Sequence, residues 1–227
     1  SLESGACSSA PRERALTFLR EAGLLEAVDL ECVRGDRPLF SHLSFRLKPG
    51  ELMHVTGVNG SGKTTLLRTL CGLTHAASGE VRWRGSAIQE LGDEYRNQLA
   101  YVGHSNGIQG ELTPNENLRT AAGLCGNADS KLISNTLERL GLAAHDYFPA
   151  KILSQGQKRR LALARLVIQQ KPLWILDEPL SALDVNSVAL MTEILMEHLA
   201  RDGLIVMTSH QDIAVDTKTV LQIAFDS

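Results

Sequence analysis

The 227-residue chain is predicted to adopt an α/β fold with a mostly parallel sheet. Three observations support this prediction. Short apolar, β-branched runs alternate with stretches in which apolar residues recur at helical spacing. A glycine-rich turn joins one of these runs to a helical stretch, and another run ends in two adjacent carboxylates. Separately, no apolar run approaches the roughly 20 residues that a membrane-spanning helix needs, so the chain is not expected to cross a bilayer.

The N-terminal part of the chain predicts an extension followed by two strands. Residues 1–24 are expected to be a poorly ordered extension, because small and polar residues dominate positions 1–10. A short helix over 12–22, bracketed by a proline and a glycine, is the alternative. From Leu25 onward, the segments LEAVDLECV and LSFRLKPG predict strands joined by a polar turn.

Three further segments supply the predicted core. LMHVTGV is a buried strand that ends in glycine, and LIVMTS, residues 204–209, is another strand. Residues 187–200 predict a helix. Its apolar stripe, expected to pack in the core, consists of Val188, Met191, Leu195 and Leu199.

Charge and cysteine content exclude some classes of protein. Lysine plus arginine number 23 and aspartate plus glutamate 26, for a net charge of −3. A general nucleic-acid binder normally carries a basic excess, so no nucleic-acid partner is expected. The cysteine spacing matches neither a CxxC nor a zinc pattern, which predicts free, mostly buried thiols in a reducing compartment. The cysteines are Cys7, Cys32, Cys71 and Cys125.

The strongest motif is the segment GVNGSGKT at 57–64. It matches G-x-x-x-x-G-K-[ST] between a strand and a helical run, as a phosphate-binding loop requires. Its backbone N–H groups and the helix N-terminus would bind a polyphosphate, Lys63 would reach the β- and γ-phosphates, and Thr64 would ligate Mg²⁺. A plain glycine-rich turn is the alternative. The predicted nucleotide-binding residues are Gly57, Asn59, Gly60, Ser61, Gly62, Lys63, Thr64 and Thr65.

The second motif is the apolar run Leu173–Leu176, which ends in Asp177 and Glu178. Asp177 is expected to hold Mg²⁺, directly or through water, and Glu178 to polarise an attacking water. Four apolar residues and two acids are a weak pattern alone, since an exposed strand end has the same composition. Together with the phosphate loop they indicate an NTPase, because such an enzyme needs an acidic metal ligand on a neighbouring strand.

The third motif is LSQGQ at 153–157, which precedes a helical run. A serine and a glycine at a helix start can form a second anion site, and a plain helix cap is the alternative. Here the chain resembles the ATP-binding subunits of ABC transporters, whose signature is LSGGQ. Gln155 replaces the first glycine of that signature, while Ser154 and Gly156 are retained.

Two later segments extend the resemblance in the family's order. Residues 181–184, SALD, are similar to the D-loop, and Thr208-Ser209-His210 is similar to the switch-histidine motif. The resemblance covers about residues 25–227. It implies an ABC-type nucleotide-binding domain of the P-loop NTPase class, with a parallel-sheet core, a small antiparallel β subdomain and a helical subdomain over about 108–150.

The resemblance also implies how the site works. ATP and Mg²⁺ are the expected ligands, and Lys63, Glu178 and His210 are the expected catalytic residues. In the family, each ATP lies between the phosphate loop of one subunit and the signature of another, so a homodimer is expected. The residues expected to contact nucleotide in this way are Ser154, Gly156, Gln157 and Asp184.

Two positions depart from the family pattern. His104 stands where many members carry the Q-loop glutamine, which implies a place near Mg²⁺, although a solvent-facing loop residue is the alternative. Arg34 aligns with an adenine-stacking aromatic residue. A guanidinium can stack on a purine, but a solvated surface charge explains Arg34 equally well. Phe40 is a second candidate for stacking and is expected in the core instead.

Several stretches resemble one subfamily, the ATP-binding proteins of bacterial cytochrome c maturation, which are haem exporter ATPases. These stretches are YVGHSNGIQGELTPNENL, LSQGQKRRLALARL and LWILDEPLSALDVN. The resemblance implies haem export or haem-chaperone release, integral membrane permease partners, and a peripheral position on the cytoplasmic side of the cell inner membrane. Three leucines of the helical subdomain are expected to be either core or partner contacts: Leu112, Leu118 and Leu124.

Three other functions remain as alternatives. One is an ATPase subunit for a different small substrate, since the cargo is recognised by the partner. A soluble ABC-type ATPase acting on nucleic acid or ribosomes usually carries two cassettes or a coiled-coil insertion, and this chain has neither. The basic run at 158–160 is better explained as a solvated helix face. A small-molecule kinase leaves the signature and D-loop unexplained.

Overall fold

The computed structural model describes residues 24–35, 37–124, 126, 129–209 and 220–225. Residues 1–23 of the predicted N-terminal extension, with its alternative helix, therefore lie outside the described residues, as do Cys7, Cys125 and His210. The last residue of the predicted extension, Leu24, is described, and its backbone bonds to Leu47 and Arg84. No helix in the described part of the chain is long and apolar enough to span a membrane.

The described residues form two sheets. The strands are β1 (Leu25–Arg34), β2 (Arg37–Leu47), β3 (Leu52–Gly57), β4 (Ser78–Trp83), β5 (Ser86–Ala87), β6 (Leu99–Val102), β7 (Leu173–Leu176), β8 (Leu204–Thr208) and β9 (Val220–Phe225). A four-stranded antiparallel sheet has the order β2-β1-β4-β5, and a five-stranded parallel sheet has the order β6-β7-β8-β3-β9. The predicted α/β class is confirmed.

The helices follow the same order along the chain. They are α1 (Lys63–Leu70), α2 (Ile88–Leu91), α3 (Asp93–Arg96), α4 (Pro114–Leu124), α5 (Ser130–Arg139), α6 (Gln155–Gln169) and α7 (Val185–Ala200). Two 3₁₀ turns precede α6, at Ala143–His145 and Ala150–Ile152. The helices predicted after the phosphate loop, after the signature and over 187–200 are all present.

The parallel sheet places several strand ends at one edge. Every residue of β7 and β8 is buried, as expected for parallel strands covered on both faces. Val102 pairs with Leu176, Leu176 with Met207, and Val55 with Thr208. The carboxyl ends of β6, β7, β8 and β3 therefore meet, and ligands of open α/β sheets bind at this edge.

The antiparallel sheet packs beside the loop that follows β3. Phe40 on β2 is buried, and its ring lies 5.2 Å from that of Phe225. A Cβ added to Gly62 would lie 3.2 Å from Leu39 and 3.3 Å from the Phe40 ring. Phe40 is thus a core residue, as expected, and β2 supports the loop through contacts that leave little room for a side chain at Gly62.

The helices α4, α5 and α6 share an apolar core with the parallel sheet. Leu118 is fully buried in it, Leu112 is partly buried, and Leu124 is 82% exposed. The buried Asn117 amide also donates to the carbonyls of Leu112 and Thr113, which fixes the start of α4. Of the three leucines, Leu118 is therefore core, and Leu124 faces solvent.

Two of the cysteines lie among the described residues. Cys32 and Cys71 are both buried free thiols, as predicted. Burial raises the pKa of Cys71 to about 12. This thiol is therefore neutral and acts as a small apolar side chain.

Gly79, which lies at the register shift in the pairing of β1 with β4, should tolerate no side chain. Its φ is +75°, and a Cβ there would clash with the carbonyl oxygens of Val28 and Asp29. We expect Gly79→Ala to lower the free energy of unfolding by about 2–4 kcal/mol, measured by urea denaturation. Gly85→Ala is the matched control, because Gly85 has a φ of +86° but no atom within 4 Å of its added Cβ. It should cost only about 1 kcal/mol, and equal losses in the two variants would contradict the clash.

Candidate functional site

The phosphate loop between β3 and α1 is an open cradle. Gly57, Gly60 and Gly62 have φ values of 139°, 84° and 107°, which favour glycine. A Cβ on Gly57 would lie 2.8 Å from the Phe225 carbonyl oxygen, whereas one on Gly60 would meet nothing within 4 Å. The Ser61 hydroxyl is buried, with no hydrogen-bond partner among the described residues. Buried hydroxyl groups are normally hydrogen-bonded, and an oxygen of a bound phosphate could accept the hydrogen bond of Ser61.

Lys63 places its charge inside this loop. Its side chain is buried, and Nζ donates to the carbonyl oxygens of Gly57 at 2.7 Å and Val58 at 3.0 Å. The ammonium therefore faces the concave side of the loop, held by neutral acceptors. An anion placed there would meet a charged donor as well as the N-terminus of α1.

One cavity of about 550 Å³ connects the loop with the strand ends. Its lining includes residues from three separate predictions: the phosphate loop, the acidic strand end and the two positions that depart from the family pattern. The lining residues are Arg34, Leu39, Asn59, Gly60, Gly62, Lys63, Thr64, Thr65, His104, Asp177, Glu178 and Ser181. The volume, together with the charged and hydroxyl-bearing residues in the lining, suits a nucleotide-sized ligand.

The two carboxylates lie at the end of β7, and two threonines hold the first of them. Thr64 donates its hydroxyl to Oδ2 of Asp177 at 3.0 Å, and Thr208 donates to Oδ1 at 2.8 Å. Thr208 in turn accepts the backbone N–H of Glu178 at 2.9 Å. Sequence reasoning placed Thr208 only within the switch-histidine motif and missed these bonds, because they join strands that lie far apart along the chain.

Arg159 on α6 corrects the prediction of a solvated basic face. Its side chain is buried, and its guanidinium donates to the carbonyl oxygens of Asp177 and Glu178, both at 2.7 Å. Burial lowers the pKa of Arg159, although the nearby carboxylates oppose this effect. A buried guanidinium is tolerated because its donors find acceptors. The other acceptors are Gly103 O, Asn106 Oδ1 and Pro179 O.

A signal in the sequence could have revealed that Arg159 is buried. Arg159 lies three, four and seven positions before Ala162, Leu163 and Leu166, which are all buried. That spacing defines one face of a helix. The charge of Arg159 obscured its place on the apolar stripe.

His104 and Arg34 both lie at the rim of the cavity. His104 is exposed and follows β6, and it lines the same cavity as Thr64 and Asp177. Arg34 is exposed at the end of β1. The two residues predicted from the family alignment are therefore brought to the cavity, and their roles there stay predictions.

The signature residues form a capping box at the start of α6. Gln157 donates its backbone N–H to Ser154 Oγ at 3.2 Å, and its Oε1 accepts the Ser154 N–H at 2.8 Å. The side-chain amide nitrogen of Gln157 lies 2.8 Å from His145 Nε2. Because an amide nitrogen only donates, His145 Nε2 is the acceptor of this hydrogen bond. A Cβ on Gly156 would lie 3.1 Å from the Ala182 carbonyl oxygen. These residues therefore do cap the helix, as the alternative predicted. The cap does not exclude an anion site at the start of α6.

The signature residues and Asp184 lie outside the cavity formed by the described residues. Asp184 caps α7 by accepting the Ser187 N–H at 2.8 Å. Hydrogen bonds from Ser187 hold the pKa of Asp184 below its usual range. The single chain thus brings together the phosphate loop and the carboxylates, but not the signature. His210 lies outside the described residues.

Comparison with known proteins identifies the family of this chain. Residues 40–181 match the family model described as ABC transporter. The cytochrome c biogenesis ATP-binding export protein CcmA of Nitrosomonas europaea is 50% identical over 198 residues, covering 87% of this chain and 93% of that protein. The protein of the same name from Pseudomonas aeruginosa is 45% identical over 200 residues, covering 88% and 98%.

A solved structure described as the ATP binding subunit of an ABC transporter has the same fold. It aligns with a TM-score of 0.75 and 26% identity, covering 82% of this chain and 80% of that one. This chain therefore belongs to the ABC transporter ATP-binding family and, within it, to the family of CcmA cytochrome c biogenesis ATP-binding export proteins.

Proposed function

We propose that this chain is the ATP-hydrolysing subunit of an ABC transporter complex that serves haem export, or haem-chaperone release, in cytochrome c biogenesis. The observation that carries the hydrolytic part is the single cavity in which Lys63, the Thr64–Asp177 pair and Glu178 lie together. The names of the relatives support the pathway. The proposal of haem as the cargo comes from the resemblance to the haem exporter ATPases.

Thr64 and Asp177 are the residues proposed to hold Mg²⁺. A hydroxyl and a carboxylate oxygen already lie 3.0 Å apart at the cavity. Mg²⁺ is usually bound through one or two protein oxygens, with water and substrate phosphates completing its shell. The residues therefore fit the ion, which would neutralise phosphate charge when bound. His104 is proposed to contribute from the rim.

The remaining groups are proposed to divide the work of hydrolysis. The loop N–H groups and Lys63 stabilise the negative charge that develops on the phosphates. Glu178 orients and polarises the attacking water. His210 is proposed to assist at the same step, and Arg34 to stack on the adenine.

A second copy of the chain is proposed to complete each site. The signature residues Ser154, Gly156 and Gln157, together with Asp184, lie outside the cavity. In the family, each ATP lies between the phosphate loop of one subunit and the signature of another, and the same arrangement is proposed here. The proposed homodimer has two composite sites, with nucleotide between the subunits.

The region over about 108–150 is proposed as the helical subdomain that contacts membrane permease subunits. Its consecutive residues Tyr147 and Phe148 are 87% and 51% exposed, and contiguous exposed apolar side chains are a feature of interaction surfaces. The domain itself is proposed to span 25–227, at the cytoplasmic face of the inner membrane. None of the described contacts favours the kinase or the nucleic-acid alternative.

We predict that Glu178→Gln abolishes turnover and keeps nucleotide binding. The change removes the charge that polarises water while leaving Lys63 and Asp177 in place. ATP hydrolysis should fall at least about 100-fold, and size-exclusion chromatography should show an ATP-dependent dimer. Glu193→Gln, on the exposed face of α7, is the control and should match the unmodified chain. Full activity of Glu178→Gln would exclude the proposed role.

A mixing experiment tests the composite site. Lys63→Ala disables the phosphate loop, and Ser154→Arg blocks the signature, so each variant alone should be inactive. In an equal mixture half of the dimers pair one variant with the other, and each such dimer holds one intact site. Activity should therefore recover to about a quarter of the unmodified level, as for a symmetric two-site dimer.

The mixture is compared with the same two variants kept apart at equal total concentration. Residual activity in the mixture no greater than the sum of the separate samples, with both variants folded and dimeric, would contradict a site shared between subunits.

A further inference from the structure

The Thr208 hydroxyl makes two bonds whose directions are fixed by chemistry. Its side chain is fully buried at the end of β8. A hydroxyl carries one proton and two lone pairs, a carboxylate only accepts, and a backbone N–H only donates. The proton therefore goes to Asp177 Oδ1 at 2.8 Å, and a lone pair accepts the Glu178 N–H at 2.9 Å. One buried atom thus touches both residues of the acidic pair.

The two threonines that contact Asp177 differ in their surroundings. Thr64 is exposed and lines the cavity, where the proposed Mg²⁺ would need its hydroxyl. Thr208 is buried and does not line the cavity. Its bond to Oδ1 does not compete with the ion. Thr208 is therefore suited to hold the carboxylate in one orientation while Oδ2 faces the site.

The backbone of Glu178 needs such support. Its φ is +51°, a left-handed conformation that costs a non-glycine residue about 1 kcal/mol or more. The Glu178 carbonyl oxygen accepts from Arg159 at 2.7 Å and from Ser181 Oγ at 2.9 Å. The bond from the Glu178 N–H to Thr208 fixes the other side of the same residue. These bonds determine the direction in which the side chain leaves the backbone.

We propose that Thr208 is a positioning residue for ATP hydrolysis, which orients the Asp177 carboxylate toward Mg²⁺ and fixes the backbone that carries Glu178. This inference rests on the proposed function. It assigns a role to a residue that lies on neither the phosphate loop nor the acidic strand. It also links β8, whose chain runs on to His210 two residues later, to the two carboxylate residues that follow β7.

The test compares Thr208→Val, which keeps the shape and loses the hydroxyl, with Thr208→Ser, which keeps the hydroxyl. We expect Thr208→Val to lower kcat about 10–100-fold and to raise the Mg²⁺ concentration for half-maximal activity, as losses around a metal ligand do. Thr208→Ser should stay within about threefold of the unmodified chain in both quantities. Thr136→Val is the control, because Thr136 is also buried and donates only to its own helix, at Leu132.

A second readout does not depend on activity. The affinity for a fluorescent ATP analogue is measured in excess Mg²⁺ and in EDTA. Thr208→Val should bind about 10-fold more weakly than the unmodified chain in Mg²⁺ and equally well in EDTA. A purely structural defect would weaken binding in both conditions. If Thr208→Val does not fold, Thr208→Ala is tested in its place. Alanine lacks both the hydroxyl and the γ-methyl group of threonine and puts no methyl group where the hydroxyl was.

The outcomes separate this inference from the proposed function. Thr208→Val with unchanged kcat, Mg²⁺ dependence and MgATP affinity overturns the inference, as does Thr208→Ser impaired as severely as Thr208→Val. An unmodified chain that does not hydrolyse ATP, or an active Glu178→Gln, overturns the proposed function instead. A hydrolysing chain with an inactive Glu178→Gln and a normal Thr208→Val overturns the positioning role alone.

Discussion

The hydrogen bond from Thr64 to Asp177 joins the two halves of the site. Thr64 is the last residue of the phosphate loop and the second of α1, and Asp177 directly follows β7, which lies two strands from β3 in the parallel sheet. The loop, the strand ends and α1 must all be in place for this 3.0 Å contact to form. Because Asp177 is buried, an unpaired carboxylate there would be costly. The same contact marks the place where a divalent cation can bind.

Arg159 extends this arrangement to the signature helix. One guanidinium binds the backbone on both sides of Glu178 and also the loop after β6. Movement of α6 relative to the sheet would strain these bonds. The start of α6 carries Ser154, and the loop after β6 carries His104. Arg159 therefore supports the backbone of the two carboxylate residues and also connects α6 to the nucleotide cavity.

Local signals predicted most of the fold and the centre of the site. The phosphate loop, the acidic strand end and the signature are contiguous motifs whose chemistry depends on neighbours in the chain, so their positions followed from the sequence. Thr208 and Arg159 depend on tertiary contacts. The bonds of Thr208 reach residues 30 and 31 positions away, and the charge of Arg159 made a buried helix position look exposed. Arg34 and His104 were predicted as site residues from their alignment with a family. Their location at the cavity depends on the tertiary fold, so no local sequence pattern predicts it.

The central claim is that the cavity holds MgATP and that a second chain completes it. A crystal structure of the Glu178→Gln variant with Mg²⁺ and ATP tests this most directly. The account predicts two chains related by a twofold axis, with the γ-phosphate between Lys63 of one and Ser154 of the other, and Mg²⁺ beside Thr64 and Asp177. ATP bound by a single chain with its signature facing solvent, in a protein saturated with nucleotide, would contradict the account.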